Sequence, residues 1–175
     1  MDFVCLAAGQ GTRLGRLGSY LQKCMYPVGL KPFLEYTLEQ LVACRAEQVT
    51  GDRLTLVVGH LAHQVRAYFG SEFSGMPIRY VEQTERRGTG HALSLAHQAI
   101  RPRASVVAWQ ADMFVTGKMF AGVIDHPDDT VVTLGPGHPD EPAVLRATVE
   151  GDRVTRVWQG AGPLLDIGLC EYLTA

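Results

Sequence analysis

Apolar residues in this chain recur first in short runs and only then at helical spacing. Residues 3–8 form one such run, ended by Gly9, and predict a strand covered on both faces. After Lys31-Pro32 the rhythm changes: Leu34, Leu38, Leu41 and Val42 repeat as on one helix face, with Pro32 at the helix start. Residues 54–58 read as a second buried strand, 61–69 as a helix and 78–83 as a strand. Residues 89–100 read as a helix with Leu93, Ala96 and Ile100 on one face, and 105–109 as a strand running into Gln110-Ala111-Asp112. Alternating strands and helices predict βαβ units: an α/β fold with a largely parallel sheet and helices on both faces.

Past Pro127 the pattern turns to strands alone, at 130–134, 143–149 and 154–158, with Glu150-Gly151-Asp152 as a turn between the last two. This part reads as a small antiparallel appendix. Residues 136–142, rich in Gly, Pro and Asp, read as a surface loop, and no linker or repeat interrupts the chain. With 175 residues and 46% hydrophobic content, residues 1–175 are expected to form one domain.

Charge narrows the partners. The formal net charge is −2 and no block of like charge occurs, so there is no electrostatic footprint for nucleic acid, and a bound anion needs a local site. Cys5, Cys24, Cys44 and Cys170 form no CxxC pair, which fits a reduced, cytoplasmic setting. No leader-like segment or membrane-length apolar stretch is expected, so no membrane partner is expected either.

Glycines directly after a buried strand let backbone N–H groups approach an anion, so Gly9-Gln10-Gly11-Thr12-Arg13-Leu14-Gly15 suggests a phosphate cradle. The dinucleotide fingerprint fails, because Leu14 stands where its third glycine belongs, and the P-loop ending is absent. A tight turn with no ligand is the plain alternative. Arg13 favours the cradle, since a guanidinium offers phosphate two parallel charge-assisted hydrogen bonds.

The segment LAAGQGTRL, then Lys23-Cys24-Met25-Tyr26-Pro27-Val28 and Lys31-Pro32-Phe33-Leu34-Glu35, resembles the signature of the sugar-phosphate nucleotidyltransferases. The likeness continues through Val57-Val58-Gly59, Val81-Glu82-Gln83 and Gly88-Thr89-Gly90-His91-Ala92-Leu93 to Ala111-Asp112. It implies a GT-A-like three-layer α/β/α sandwich acting on a nucleoside triphosphate and a phosphorylated small-molecule acceptor. Leu6, Ala7, Ala8, Gly9, Gly11, Thr12 and Arg13 would bind the nucleotide, with Gln83, Gly88 and Thr89 reading the base. Arg13 and Lys23 would contact phosphates, and Asp112 would bind Mg²⁺, with Asp166 as second ligand. A rival register for Leu165-Asp166-Ile167-Gly168-Leu169 puts Asp166 beside the sugar instead, and a solvent-facing strand-end carboxylate remains a third reading. The bland reading of Asp112 is a cap for a segment beginning near Thr116. GTGHA is similar to uridylyltransferases of the N-acetylglucosamine 1-phosphate type, which makes uridine or thymidine nucleotides the first expectation.

Departures from the family pattern fall on the acceptor side. Arg16-Leu17-Gly18, Gln22 and Ala111 replace tolerable motif positions, but Gln159-Gly160-Ala161 lacks the lysine that contacts the sugar phosphate, and Ala147 replaces a sugar-contacting glycine. The chain is also shorter than typical members, either by a deletion between Trp158 and Asp166 or by an early stop. A nucleotide-sugar-binding regulator, or a transferase for phosphocholine, a polyol phosphate or a molybdopterin, therefore stand as alternatives, and monomer and homo-oligomer both stay open. His60 and His63 share HxxH spacing but read as a surface pair. His91 is placed either near the base or on a helix surface. Trp109 and Trp158 read as packing residues, Trp158 alternatively as a wall of the acceptor pocket.

Overall fold

The computed structural model describes residues 1–47, 51–85, 87–128, 130–136, 145–159 and 165–173. In chain order these form β1 (Asp2–Ala7), 3₁₀ segments at Thr12–Ser19 and Lys23–Met25, a two-strand ribbon of β2 (Pro27–Val28) and β3 (Lys31–Pro32), and α1 (Phe33–Cys44). Next come β4 (Arg53–Val58), α2 (Ala62–Phe69), β5 (Glu72–Phe73), β6 (Met76–Glu82), α3 (Gly88–His97), β7 (Ser105–Gln110) and α4 (Gly117–Ile124). The described chain closes with β8 (Val131–Pro136), β9 (Leu145–Glu150), β10 (Arg153–Gln159) and β11 (Leu165–Leu173).

Alternation along β1 divides the interior in two. Phe3, Cys5 and Ala7 enter one core and Val4 the other, because successive strand residues point to opposite sheet faces. The first core is closed by Leu34, Leu38 and Leu41 of α1, Val65 and Phe69 of α2, and Phe120 and Val123 of α4. The second is closed by Ala92 and Ala96 of α3 against Val57, Val106 and Ala108. The result is three layers, with α1, α2 and α4 on one side of the sheet and α3 on the other. Trp109 is buried in the first core, edge-on to Phe120 at 5.3 Å between ring centroids, so it is a packing residue as expected.

At the sheet centre the order β7-β1-β4-β6 is parallel throughout. The chain leaves β1 for β4 and β6 on one side, then returns through α3 to β7 on the other. That reversal makes the crevice at the carboxyl ends of β1 and β7 a topological switch point, where ligands of open α/β sheets bind. The four strands end level: Leu6 pairs with Gln110, Ala7 with Val58, and Val58 with Glu82.

The antiparallel appendix continues the same sheet. β11 pairs antiparallel with β7, β8 and β9, and β10 with β9, giving the sheet nine strands among the described residues. Every element expected from the apolar pattern is present with its described ends within three residues; residues 143–144 of the strand expected at 143–149 lie outside the described residues. The 3₁₀ segments, the ribbon, β5 and β11 were not expected, and of α4 only its start near Thr116 was. Residues 137–142 of the expected surface loop lie outside the described residues. No described helix is long and apolar enough to cross a membrane.

Candidate functional site: a glycine loop facing a lysine–aspartate pair

β1 delivers the glycine loop to the switch point. Its backbone turns at Gly11, whose φ of 65° lies in the left-handed region that favours glycine, and Leu14 N–H then bonds the Gly11 carbonyl at 2.8 Å. Gly18 packs on the loop so closely that a Cβ there would meet the Gly11 carbonyl oxygen at 2.5 Å. Gln22, only 1% exposed, fastens the strand end: its Nε2 donates to the carbonyls of Ala7 (2.6 Å) and Gly9 (3.2 Å). Its Oε1 accepts from the Cys24 N–H at 2.6 Å, and its own N–H reaches Gln64 Oε1 at 2.9 Å. His60 adds a contact of 2.7 Å from Nε2 to the Gly18 carbonyl oxygen. Among the described residues no group of three His, Cys, Asp or Glu is placed to hold a metal. Of the expected surface pair, His63 is exposed and His60 is half-buried against the Gly18 carbonyl.

Across the crevice, Ala111 N–H donates to the Leu6 carbonyl at 3.0 Å, which ties the end of β7 to the end of β1. Asp112 is thereby held beside the loop, and Lys23 forms an ion pair and hydrogen bond with its carboxylate, both side chains remaining partly open to solvent at 40% and 35%. The cap of α4 is not Asp112 but Thr116, whose hydroxyl accepts from Met119 N–H. Beneath this pair, burial pushes the Cys24 thiol up to about 12, with the Asp112 charge adding to the rise.

A third wall comes from the ends of β4 and β6. Gln83 N–H bonds the Val58 carbonyl at 2.8 Å, and the backbone there is pinched against the glycine loop. A Cβ on Gly59 would lie 3.0 Å from the Gln83 carbonyl oxygen and 3.1 Å from Ala8. The Gln83 side chain turns to the start of α3, donating to the Gly88 carbonyl at 3.0 Å and lying 3.3 Å from His91 Nδ1. Gly88 holds a φ of 83°, and Thr89 is exposed beside it.

Leu6, Ala7, Ala8, Gly9, Gly11, Gln83, Lys23 and Asp112 thus gather at one sheet edge, with Thr12 and Arg13 exposed at its rim. The backbone of Asp166 comes to the same edge, because β11 runs antiparallel to β7 with Cys170 opposite Ala108. Its side chain, that of Trp158, and Gly160-Ala161 lie outside the described residues. Sequence reasoning missed the work of Gln22 and His60; the signal for Gln22 was present, as a polar residue in place of a motif proline beside Lys23.

The sequence matches the family described as MobA-like NTP transferase domain over residues 3–163. The chain belongs to this family. Among curated relatives of this NTP transferase domain, the bifunctional protein GlmU of Cellvibrio japonicus is 35% identical over 130 residues, spanning 71% of this chain and 26% of that protein. The UTP–glucose-1-phosphate uridylyltransferase AglF of Haloferax volcanii is 40% identical over 93 residues, 53% of this chain and 36% of its own length. The chain therefore spans about a quarter to a third of these relatives. A UDP-glucose pyrophosphorylase crystallised with UDP-glucose shares the fold at a TM-score of 0.80 with 16% identity, covering 98% of this chain and 75% of that one. The α/β fold with a parallel centre and an antiparallel extension is that of the nucleotidyltransferase neighbours, and the family likeness seen in the motifs holds.

Proposed function

We propose that this domain is a nucleotidyltransferase that moves a nucleoside monophosphate from a nucleoside triphosphate to a phosphorylated small molecule, a sugar 1-phosphate in the first instance. The observation that carries the reading is the glycine loop after β1 facing Lys23 and Asp112 across the switch point. An oxygen of the acceptor phosphate attacks the α-phosphorus, a new P–O bond forms, the bond to the β-phosphate breaks, and pyrophosphate leaves with the electron pair. The second pKa of a phosphate monoester is about 6, so the nucleophile is already ionised at neutral pH and no general base is required.

In this reading the loop from Leu6 to Thr12 cradles the triphosphate, and Arg13 and Lys23 offset its charge as the pyrophosphate departs. What supports a hard-cation site is the partly open Asp112 carboxylate, whose partner here is the Lys23 ammonium, together with the backbone of Asp166 reaching the same edge. Asp112, with Asp166, would hold Mg²⁺, which would screen phosphate charge when bound. Gln83, Gly88 and Thr89 would face the base. Two features of this chain favour a second reading, a regulator that binds a nucleotide sugar without turnover: Gly160 in place of the acceptor lysine, and Ala147 in place of a glycine.

The test is pyrophosphate release from the common nucleoside triphosphates with Mg²⁺ and a panel of sugar, polyol and choline phosphates. Turnover is expected, falling at least about 100-fold in Asp112→Ala and Arg13→Ala proteins that keep wild-type circular dichroism. Binding of nucleotide or nucleotide sugar without turnover across the panel would select the regulator; absence of both would end the nucleotide reading.

A further inference from the structure

His91 belongs to a segment that the motifs single out, yet the transfer reaction assigns it no part. Its Nδ1 lies 3.3 Å from Gln83 Nε2, and that Gln83 amide nitrogen also donates to the Gly88 carbonyl at 3.0 Å. A carbonyl can only accept, so the contact with Gly88 fixes which end of the Gln83 carboxamide is nitrogen. The second amide hydrogen then points at His91 Nδ1, which must present its lone pair, leaving the imidazole proton on Nε2. Both hydrogens of the amide are engaged from the start of α3.

We propose that His91 is a specificity-determining positioning residue. It holds the Gln83 amide so that only Oε1, an acceptor, is offered to a bound base. This rests on the nucleotide reading given above. An acceptor at that point complements bases carrying a ring N–H, which are uracil and thymine at N3 and guanine at N1. Cytosine and adenine present a bare ring nitrogen there, so acceptor meets acceptor. Rejection is strong where a buried polar group is left opposed or unpaired. Without the His91 lone pair, the Gly88 carbonyl is the one restraint left on the amide nitrogen among the described residues, and rotation about its terminal bond exposes a donor to the base.

The experiment compares wild type, His91→Leu and His91→Asn by calorimetry with UTP against CTP and GTP against ATP, each with Mg²⁺. Asn places an acceptor oxygen close to where Nδ1 stands, whereas Leu has the same branched shape and no lone pair. Wild type is expected to prefer UTP over CTP, or GTP over ATP if it takes purines. Loss of one restraining hydrogen bond should shrink that ratio about 10-fold in His91→Leu and leave it intact in His91→Asn. A purely structural role would weaken both members of a pair alike and leave the ratio unchanged. An unchanged ratio in His91→Leu, a lost ratio in His91→Asn, or a wild-type preference for CTP or ATP overturns the proposal while leaving nucleotide binding in place. Failure of the wild type to bind any of the four removes the nucleotide reading and this inference with it.

Discussion

Gln22 is a buried carboxamide whose partners are the backbone of the glycine loop and the segment that carries Lys23. Two carbonyls and one N–H take a hydrogen bond from or to it, and all three would lose that partner to an apolar side chain of similar size. Each such orphaned group costs about 1 to 3 kcal/mol, relieved where water can enter. Gln22→Leu is therefore expected to lose about 2 to 4 kcal/mol in urea unfolding, and to weaken nucleotide binding because the loop is no longer pinned. An unchanged urea midpoint would show that water replaces the amide freely. Nothing in hydrophobic periodicity could have revealed this, because the feature answered by Gln22 is a set of carbonyl directions created by the turn after β1. Asp112 was more legible, since a lone carboxylate after a buried strand already points to the sheet edge. Its ion pair with Lys23 needed the fold, as 89 residues separate the two. Cysteines at this scale divide by burial: it raises the Cys5 and Cys24 thiols, Cys24 to about 12, and raises half-buried Cys44 as well, there opposed by the neighbouring Arg45 charge. Alkylation of the native protein at pH 8, followed by peptide mass spectrometry, is expected to label Cys44 well before Cys5 or Cys24, since the thiolate is the reacting form.

Elements differ in how strongly their periodicity speaks. β1, β4 and β7 are continuous apolar runs and α1 is a regular stripe, so all were readable. β11 was not, because its register against β8 shifts between Ile167 and Cys170, where Gly168 interrupts the alternation that identifies a strand. α4 begins with one glycine and contains another, and glycine is a poor helix former; its stability comes from Phe120 and Val123 in the core and from the Thr116 cap. Gly122 of α4 and Gly18 beside the glycine loop give a paired expectation. Gly122 is exposed in α4 with nothing within 4 Å of an added Cβ, so Gly122→Ala should stabilise by about 0.5 to 1 kcal/mol. Gly18→Ala should destabilise by about 1 to 3 kcal/mol, since the new methyl would stand 2.5 Å from the Gly11 carbonyl oxygen and the loop backbone must move. Thermal unfolding of the two proteins checks the opposite signs, and only Gly18→Ala should also lose nucleotide affinity.

Across the whole molecule the two ends of the sheet do separate work. The carboxyl ends of the parallel strands gather the candidate site, whereas the amino ends are stapled by ion pairs. Arg45, just past α1, holds Asp52 through Nε at 2.6 Å and Nη2 at 3.1 Å, and Arg101 holds Asp2 through Nε at 2.9 Å and its backbone N–H at 2.7 Å. Burial alone would raise the Asp52 carboxyl, but its hydrogen bonds from Arg45 and the N-terminal ammonium outweigh that and lower it below the ordinary range. A carboxyl depressed on folding contributes stability that is fully present above its unfolded pKa, about 3.9, and is lost as pH falls through the folded value. Asp52→Asn should thus cost about 1.5 to 3 kcal/mol at pH 7, the range for hydrogen bonds to a charged group. The gap between variant and wild type should hold down to about pH 4 and close at lower pH, as the wild-type carboxyl takes up its proton and comes to resemble the amide. Urea unfolding from pH 2 to 8 measures this, and a gap that widens toward acid would mean the pair does not stabilise the fold. Nucleotide affinity should be the same in both proteins at pH 7, because the staple lies a full strand length from the glycine loop. A fall in affinity would instead mean that the two ends of the sheet are coupled.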